Sequence, residues 1–203
     1  VARVAALVAV TGLASAAALF PRWRAASEAG GQRPATPFRI AGNVWFVGAN
    51  DVSAFLVTGP AGHVLIDGGY PRTPAIIRAN IAALGYRLAD VKLLLNSEPH
   101  YDHAGGLAEL QRASGARVAA SEHSARALRR GDGGEGEAFW PLRLLAWTGV
   151  TRYAPVRVDG IVADGDTLRV GPVTLVAHLT PGHTRGCTSW EIPVRDGART
   201  LRV

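Results

Sequence analysis

Glu98-Pro99-His100-Tyr101-Asp102-His103-Ala104-Gly105-Gly106 places four side chains able to ligate a metal, Glu98, His100, Asp102 and His103, within six residues. Val91 to Leu95, just upstream, is a continuous apolar run, as expected of a strand covered on both faces. The cluster therefore sits in a tight turn at the end of a buried strand. In an extended segment, alternation sends residues 98, 100 and 102 to one side, and His103 reaches the same site from the other side if the chain bends. Gly105 and Gly106 let the backbone pass close to that site before a helix begins. A second Gly-flanked histidine stands in Thr180-Pro181-Gly182-His183-Thr184. Imidazole nitrogen and carboxylate oxygen are the donors expected for Zn²⁺ where thiolates are absent. A solvated polar loop with helix-capping histidines is the plainer alternative. It does not account for this density of ligands, which is costly to bury unpaired.

Working outward, three short apolar runs precede the cluster: Val44 to Val47, Ala54 to Thr58 and Val64 to Asp67. Gly, Asn and Pro punctuate them, which predicts a strand meander. A helix follows, with Thr73 as N-cap, Pro74 at its first position, Ile76, Ile77, Ile81 and Leu84 on one side, and Gly85 as its stop. After the cluster come a helix from about Leu107 to Ala113, a strand from Arg117 to Ala120, and a helix capped by Ser121 and closed by Gly131. This alternation implies an α/β layer. Residues 131–136 read as a flexible Gly/acid loop, and Ala138 to Trp147 as an apolar, aromatic stretch without clear caps. From Val158 onward strands return, at Thr167 to Val170, Val173 to Leu179 and Thr188 to Val194. A hairpin turn at Arg195-Asp196-Gly197-Ala198 then leads into Thr200 to Val203.

The remaining composition narrows the class. The net charge of +6 and pI near 10.4 come from basic residues that are all arginine except Lys92, with no basic run longer than Arg129-Arg130. Nothing there forms a phosphate-binding patch, so no nucleic-acid partner is expected. A single cysteine, Cys187, excludes a disulfide scaffold or a Cys-rich zinc module. Val4 to Phe20 is uncharged and mostly Ala, Val and Leu, follows Arg3, and holds small-residue sites at Ala14-Ser15-Ala16 and Ala16-Ala17-Ala18, the pattern of a secretory signal peptide. An uncleaved anchor and a buried N-terminal helix are the alternatives. Residues 1–26 are thus expected to be signal peptide and the start of a linker, 27–36 a linker, and 37–203 the folded domain, with a periplasmic or secreted location. Removal through Ala26 would halve the net charge.

Glu98-Pro99-His100-Tyr101-Asp102-His103 resembles the HxHxDH motif of the metallo-β-lactamase superfamily, and Thr180-Pro181-Gly182-His183-Thr184 resembles its next ligand loop. Three flanks are similar to subclass B3 enzymes in particular: Pro37 to Val44, Gly62-His63-Val64-Leu65-Ile66-Asp67-Gly68-Gly69, and Gly186-Cys187-Thr188-Ser189-Trp190. The resemblance implies an αββα four-layer sandwich with one or two Zn²⁺ at its edge. By position, one zinc takes Glu98, His100 and His183. The other takes Asp102 and His103 with a further histidine that the family supplies nearer its C-terminus. It further implies a monomeric class B β-lactamase, with a small-molecule β-lactam as partner and antibiotic resistance as outcome. In that family metal-bound hydroxide opens the ring, and Asp102 orients the nucleophile as the catalytic residue.

Two departures accompany it. Glu98 stands where the motif usually has histidine, which makes the site less positive and kinder to harder metals. No histidine follows His183, so the last ligand is expected beyond Val203, the domain is expected to be C-terminally incomplete, and the second zinc site incomplete with it. Substrate-binding residues are not assigned. The alternatives are a hydrolase of another ester, lactone or thioester on the same fold, and a truncated, non-catalytic chain. His63 and His178 read as structural, His123 as a surface residue, Cys187 as a buried thiol, and Trp140 and Trp147 as core or lid. Ser97 and Ser189 lack the base-and-orienter pattern of a serine hydrolase.

Overall fold

A computed structural model describes residues 21–22, 24–26, 28–133, 149 and 151–203. The apolar segment Val4 to Phe20, the second half of the Gly/acid loop, and Ala138 to Trp147 with Trp140 and Trp147 lie outside the described residues. No described helix is long and apolar enough to cross a membrane.

The described strands begin with β1 (Phe38–Ala41), β2 (Val44–Phe46), β3 (Phe55–Val57) and β4 (His63–Ile66), an antiparallel meander. Strands β5 (Val91–Leu95), β6 (Arg117–Ser121) and β7 (Gly160–Val162) then add on in parallel, giving a seven-stranded sheet in sequential order. The crossovers carry α1 (Pro74–Ala83), α2 (Tyr101–Ala104), α3 (Leu107–Ser114) and α4 (Glu122–Arg130). A smaller sheet, β10-β9-β8, is built from β8 (Thr167–Val170), β9 (Val173–Leu179) and β10 (Thr188–Glu191). The hairpin of β11 (Pro193–Asp196) and β12 (Arg199–Arg202) stands beside it.

Two buried clusters hold these layers together. On one face of the large sheet Leu56, Leu65, Leu94 and Val118 meet Ile77, Ile81, Leu107, Leu110 and Leu128 of the helices. On the other, Val57, Val64, Ile66, Leu93 and Leu95 meet Val170, Val173, Leu175 and Ala177 of the small sheet and Val194 of the hairpin. Strand β5 contributes Leu94 to one cluster and Leu93 and Leu95 to the other, the two-sided covering its apolar run predicts. Each such leucine, fully buried, contributes about 1.5–3 kcal/mol. The expected mixed α/β layering is present, with helices, a large sheet and smaller sheets stacked in that order.

Several local expectations need correction. Residues 28–31 are helical rather than linker, and Gly30 and Gly31 are buried against Asp51 and Tyr70. Thr73 lies in helical backbone and makes no cap bond; its hydroxyl donates to the Gly31 carbonyl instead, 3.1 Å away. The run Thr188 to Val194 is two strands, because Ile192 turns out of β10 and pairs with Val203. Ser121 does cap its helix, accepting from the Ser124 amide, and Gly131 closes it at φ 67°.

Candidate metal centre

The parallel pairing of β4 and β5 brings their C-terminal ends side by side, and the chemistry-bearing residues leave the sheet there. Asp67 follows β4 in left-handed backbone, φ 63°, a region Asp tolerates better than most residues. Ser97 and Glu98 follow β5. The expected alternation holds only as far as His100, whose backbone is extended at φ −67°, ψ 155°. Tyr101 then starts the short helix α2, so Asp102 and His103 reach the site from a helical turn rather than an extended strand. Amides of His103 and Ala104 close that turn on the His100 carbonyl.

The turn is held from several sides. Thr188 donates its amide to Ser97 O, the Tyr153 hydroxyl donates to Pro99 O at 2.7 Å, and the buried Asn96 amide donates to Glu98 O at 2.6 Å. Gly106 fits because its neighbours leave no room: a Cβ there would lie 2.3 Å from Gly68 O. From the β9–β10 loop comes His183, whose ring meets that of His100 edge to face at 4.7 Å.

These elements bring all five expected ligands together. Glu98, His100 and His183 form one set of donors, and Glu98, Asp102 and His103 another, the donor atoms of each set within 4.8 Å of one another. Glu98 Oε1 lies 3.1 Å from His103 Nε2 and 3.4 Å from His100 Nδ1, while Oε2 lies 3.6 Å from His183 Nε2. Asp102 Oδ2 is 3.8 Å from His103 Nε2. Two ligands held at about 2.0–2.2 Å in tetrahedral arrangement sit about 3.4 Å apart, so this spacing fits a divalent ion. Glu98 is deep in the cluster, 7% exposed, whereas the His183 side chain is 68% exposed at its mouth.

The electrostatics of the cluster follow from this packing. Burial works against the Glu98 carboxylate, but the His100 hydrogen bond and the charges of His100, His103 and His183 prevail and hold its pKa below the ordinary value. Burial likewise pulls the His103 imidazole down, and the hydrogen bond and charge of Asp67, with Asp102 and Glu98 behind them, reverse this and push it up to about 9.

Asp67 is the functional residue that sequence reasoning left without a role. Its Oδ2 sits 3.0 Å from His103 Nδ1 and 2.5 Å from the Ser97 hydroxyl, and its Oδ1 accepts from the Ser97 amide at 2.8 Å. Holding Nδ1 in this way turns Nε2 toward Glu98 and Asp102, the arrangement that orients metal-ligating histidines. The available signal is a polar residue followed by Gly68-Gly69 at the end of a buried strand.

The donor set, three imidazoles and two carboxylates with one histidine so oriented, suits zinc or another divalent ion. The family model described as the metallo-beta-lactamase superfamily matches residues 47–199. The chain belongs to that superfamily. Among solved structures it is similar to the Rm3 metallo-beta-lactamase, with a TM-score of 0.78 and 48% identity over 86% of this chain and 62% of that one. It is similar also to BJP-1, a subclass B3 metallo-beta-lactamase of Bradyrhizobium japonicum, with a TM-score of 0.75 and 34% identity over 85% of this chain and 62% of that one. A Burkholderia pseudomallei protein named "Probable metallo-hydrolase" is 30% identical over 124 residues, 61% of this chain and 38% of that protein. The chain thus spans less than two thirds of the length of these relatives.

The other singled-out residues fall outside or beside the donor sets. His63 is buried, accepts from the Gly59 amide and packs edge to face on Tyr86; burial lowers its pKa. His178 is exposed, because alternation along β9 turns it to the face opposite buried Val173, Leu175 and Ala177, and it faces Glu191 at 3.3 Å. His123 is exposed beside Arg126. Cys187 is half-buried, not buried, with Sγ 3.6 Å from Glu98 Oε2, so it borders the centre. Ser97 does have a histidine and an aspartate in reach, but both it and Asp67 approach the same Nδ1 of His103. A serine triad requires opposite ring nitrogens, so its exclusion stands on geometry.

Proposed function

We propose that the chain carries the metal centre of an exported, zinc-dependent β-lactamase of the subclass B3 type, acting in the periplasm or outside the cell. The observation that carries this reading is the convergence of Glu98, His100, Asp102, His103 and His183 at the ends of β5, α2 and the β9–β10 loop. Similarity of 32–48% to solved enzymes titled metallo-beta-lactamases supports the substrate class. Glu98, His100 and His183 would hold one ion, and Asp102 and His103 would hold another.

A divalent ion bound there supplies Lewis acidity toward a carbonyl and acidifies a water to near neutrality. The chain does the rest. His183, exposed at the mouth, faces the direction from which a substrate arrives. Asp102, its side chain 35% exposed, is the carboxylate able to orient a water and accept its proton on the solvent side of the cluster. Asp67 fixes the His103 tautomer so that Nε2 presents its lone pair inward. Glu98, buried beneath, keeps the imidazoles gathered.

The decisive experiment is hydrolysis of a chromogenic cephalosporin, expected to vanish with EDTA and return with Zn²⁺. Asp102→Asn is expected to lower kcat by about 10²–10⁴. Intact metal content without cephalosporin turnover would overturn the lactamase reading and leave an ester, lactone or thioester as the substrate to be screened.

A further inference from the structure

We infer that Glu98 serves both metal positions at once, its carboxylate shared between the ion of His100 and His183 and the ion of Asp102 and His103. The inference rests on the metal centre proposed above and changes what its first residue does. The two donor sets have one member in common, Glu98. An imidazole whose second nitrogen is engaged offers one lone pair to one ion, whereas a carboxylate offers two oxygens and about four lone-pair sites. Here both oxygens are turned into the cluster. Oε1 faces His103 Nε2 at 3.1 Å and His100 Nδ1 at 3.4 Å, and Oε2 faces His183 Nε2 at 3.6 Å. Glu98 therefore touches histidines of both sets, and it is buried while Asp102 and His183 are not.

Sharing has a consequence that a histidine at this position would not have. It gives the second position a third donor, beside Asp102 and His103, from within this chain. Glu98→His should then keep the first position and weaken the second, and Glu98→Ala should weaken both. A Glu98 that serves only one ion predicts an effect at only one position.

Co²⁺ binding by the full chain, followed by titration calorimetry and the cobalt visible spectrum, tests this without reference to hydrolysis. His100→Ala/His183→Ala isolates the second position, and Asp102→Ala/His103→Ala isolates the first. Adding Glu98→Ala is expected to raise the Co²⁺ Kd at least tenfold in each background, with circular dichroism showing that the fold persists. In the otherwise unaltered chain, Glu98→His is expected to retain one tight Co²⁺ and to weaken the other at least tenfold. A Kd unchanged within twofold in either background, or two equally tight ions in Glu98→His, overturns the inference, as does a parent chain that binds no Co²⁺. Loss of β-lactam hydrolysis with both ions bound would instead overturn the proposed substrate and leave this assignment standing.

Discussion

Asp67→Asn is the substitution whose effect the structure fixes most closely. The Asp67 carboxylate, 3% exposed, takes hydrogen bonds from the Ser97 amide at 2.8 Å, the Ser97 hydroxyl at 2.5 Å, the Asn96 amide at 3.3 Å and His103 Nδ1 at 3.0 Å. Asparagine adopts the left-handed backbone of this position as readily as aspartate, so no backbone strain is added. It retains one acceptor for the Ser97 and Asn96 amides, and it turns an NH₂ group toward the Ser97 hydroxyl and His103. A charge-assisted hydrogen bond contributes about 1.5–3 kcal/mol, so a loss of about 3 kcal/mol is expected near pH 6. The pH dependence separates this cause from a packing defect. The folded pKa of His103 is raised from 6.5 to about 9, so its contribution is fully present below pH 6.5 and is lost as pH rises through about 9. That shift corresponds to about 3 kcal/mol, trimmed to about 2 by solvent at a side chain 31% exposed. Urea denaturation of the EDTA-treated chain should therefore show stability falling between pH 6.5 and 9, and Asp67→Asn should be less stable at pH 6 with a flattened slope. Equal slopes in the two proteins, or equal stability at pH 6, would refute the role given to Asp67.

Three further outcomes follow from the surroundings of Gly106, Gly85 and Tyr153. Gly106→Ala drives a Cβ against Gly68 O and Pro74 and should cost about 2–3 kcal/mol in thermal or urea melts. Gly85→Ala meets open space at φ 82° and should cost only about 1 kcal/mol, from backbone strain alone. Tyr153→Phe removes the hydroxyl donated to Pro99 O and should cost about 1–2 kcal/mol, and calorimetry should show weaker Co²⁺ binding because the turn bearing Glu98 and His100 loosens.

Some features of this centre are readable from sequence because they are local, and the rest are not because they are made across the fold. Ligand density at Glu98 to His103 is a property of six consecutive residues, and the two-sided burial of Val91 to Leu95 is a property of five. The helix ends at Ser121 and Gly131 are equally local, since a cap hydroxyl reaches only three residues on and a left-handed glycine needs no distant partner. Thr73 misleads for the converse reason. A capping hydroxyl must accept from a first-turn amide with its residue in extended backbone, but Thr73 is helical and its hydroxyl is oriented to donate to the Gly31 carbonyl, brought up by a stretch that composition marks as linker. The strand alternation through the motif fails at Tyr101, where the chain winds into α2 and the ring packs in the core beside Tyr70, 5.3 Å between centroids.

The same distinction explains why the motif alone understates how the site works. A histidine reads as a ligand from its neighbours in sequence, but which nitrogen it offers depends on what holds the other. For His103 that partner is Asp67, 36 residues away and adjacent only because β4 and β5 run parallel. Without it the ring could present either nitrogen, and the donor set with Asp102 and Glu98 would have no fixed direction. Selection of the tautomer, and with it the direction in which His103 offers Nε2, is therefore a property of the pairing of two strands. A change that shifts the β4–β5 register by one residue would take Asp67 away from His103 and disable the site with every motif residue still in place.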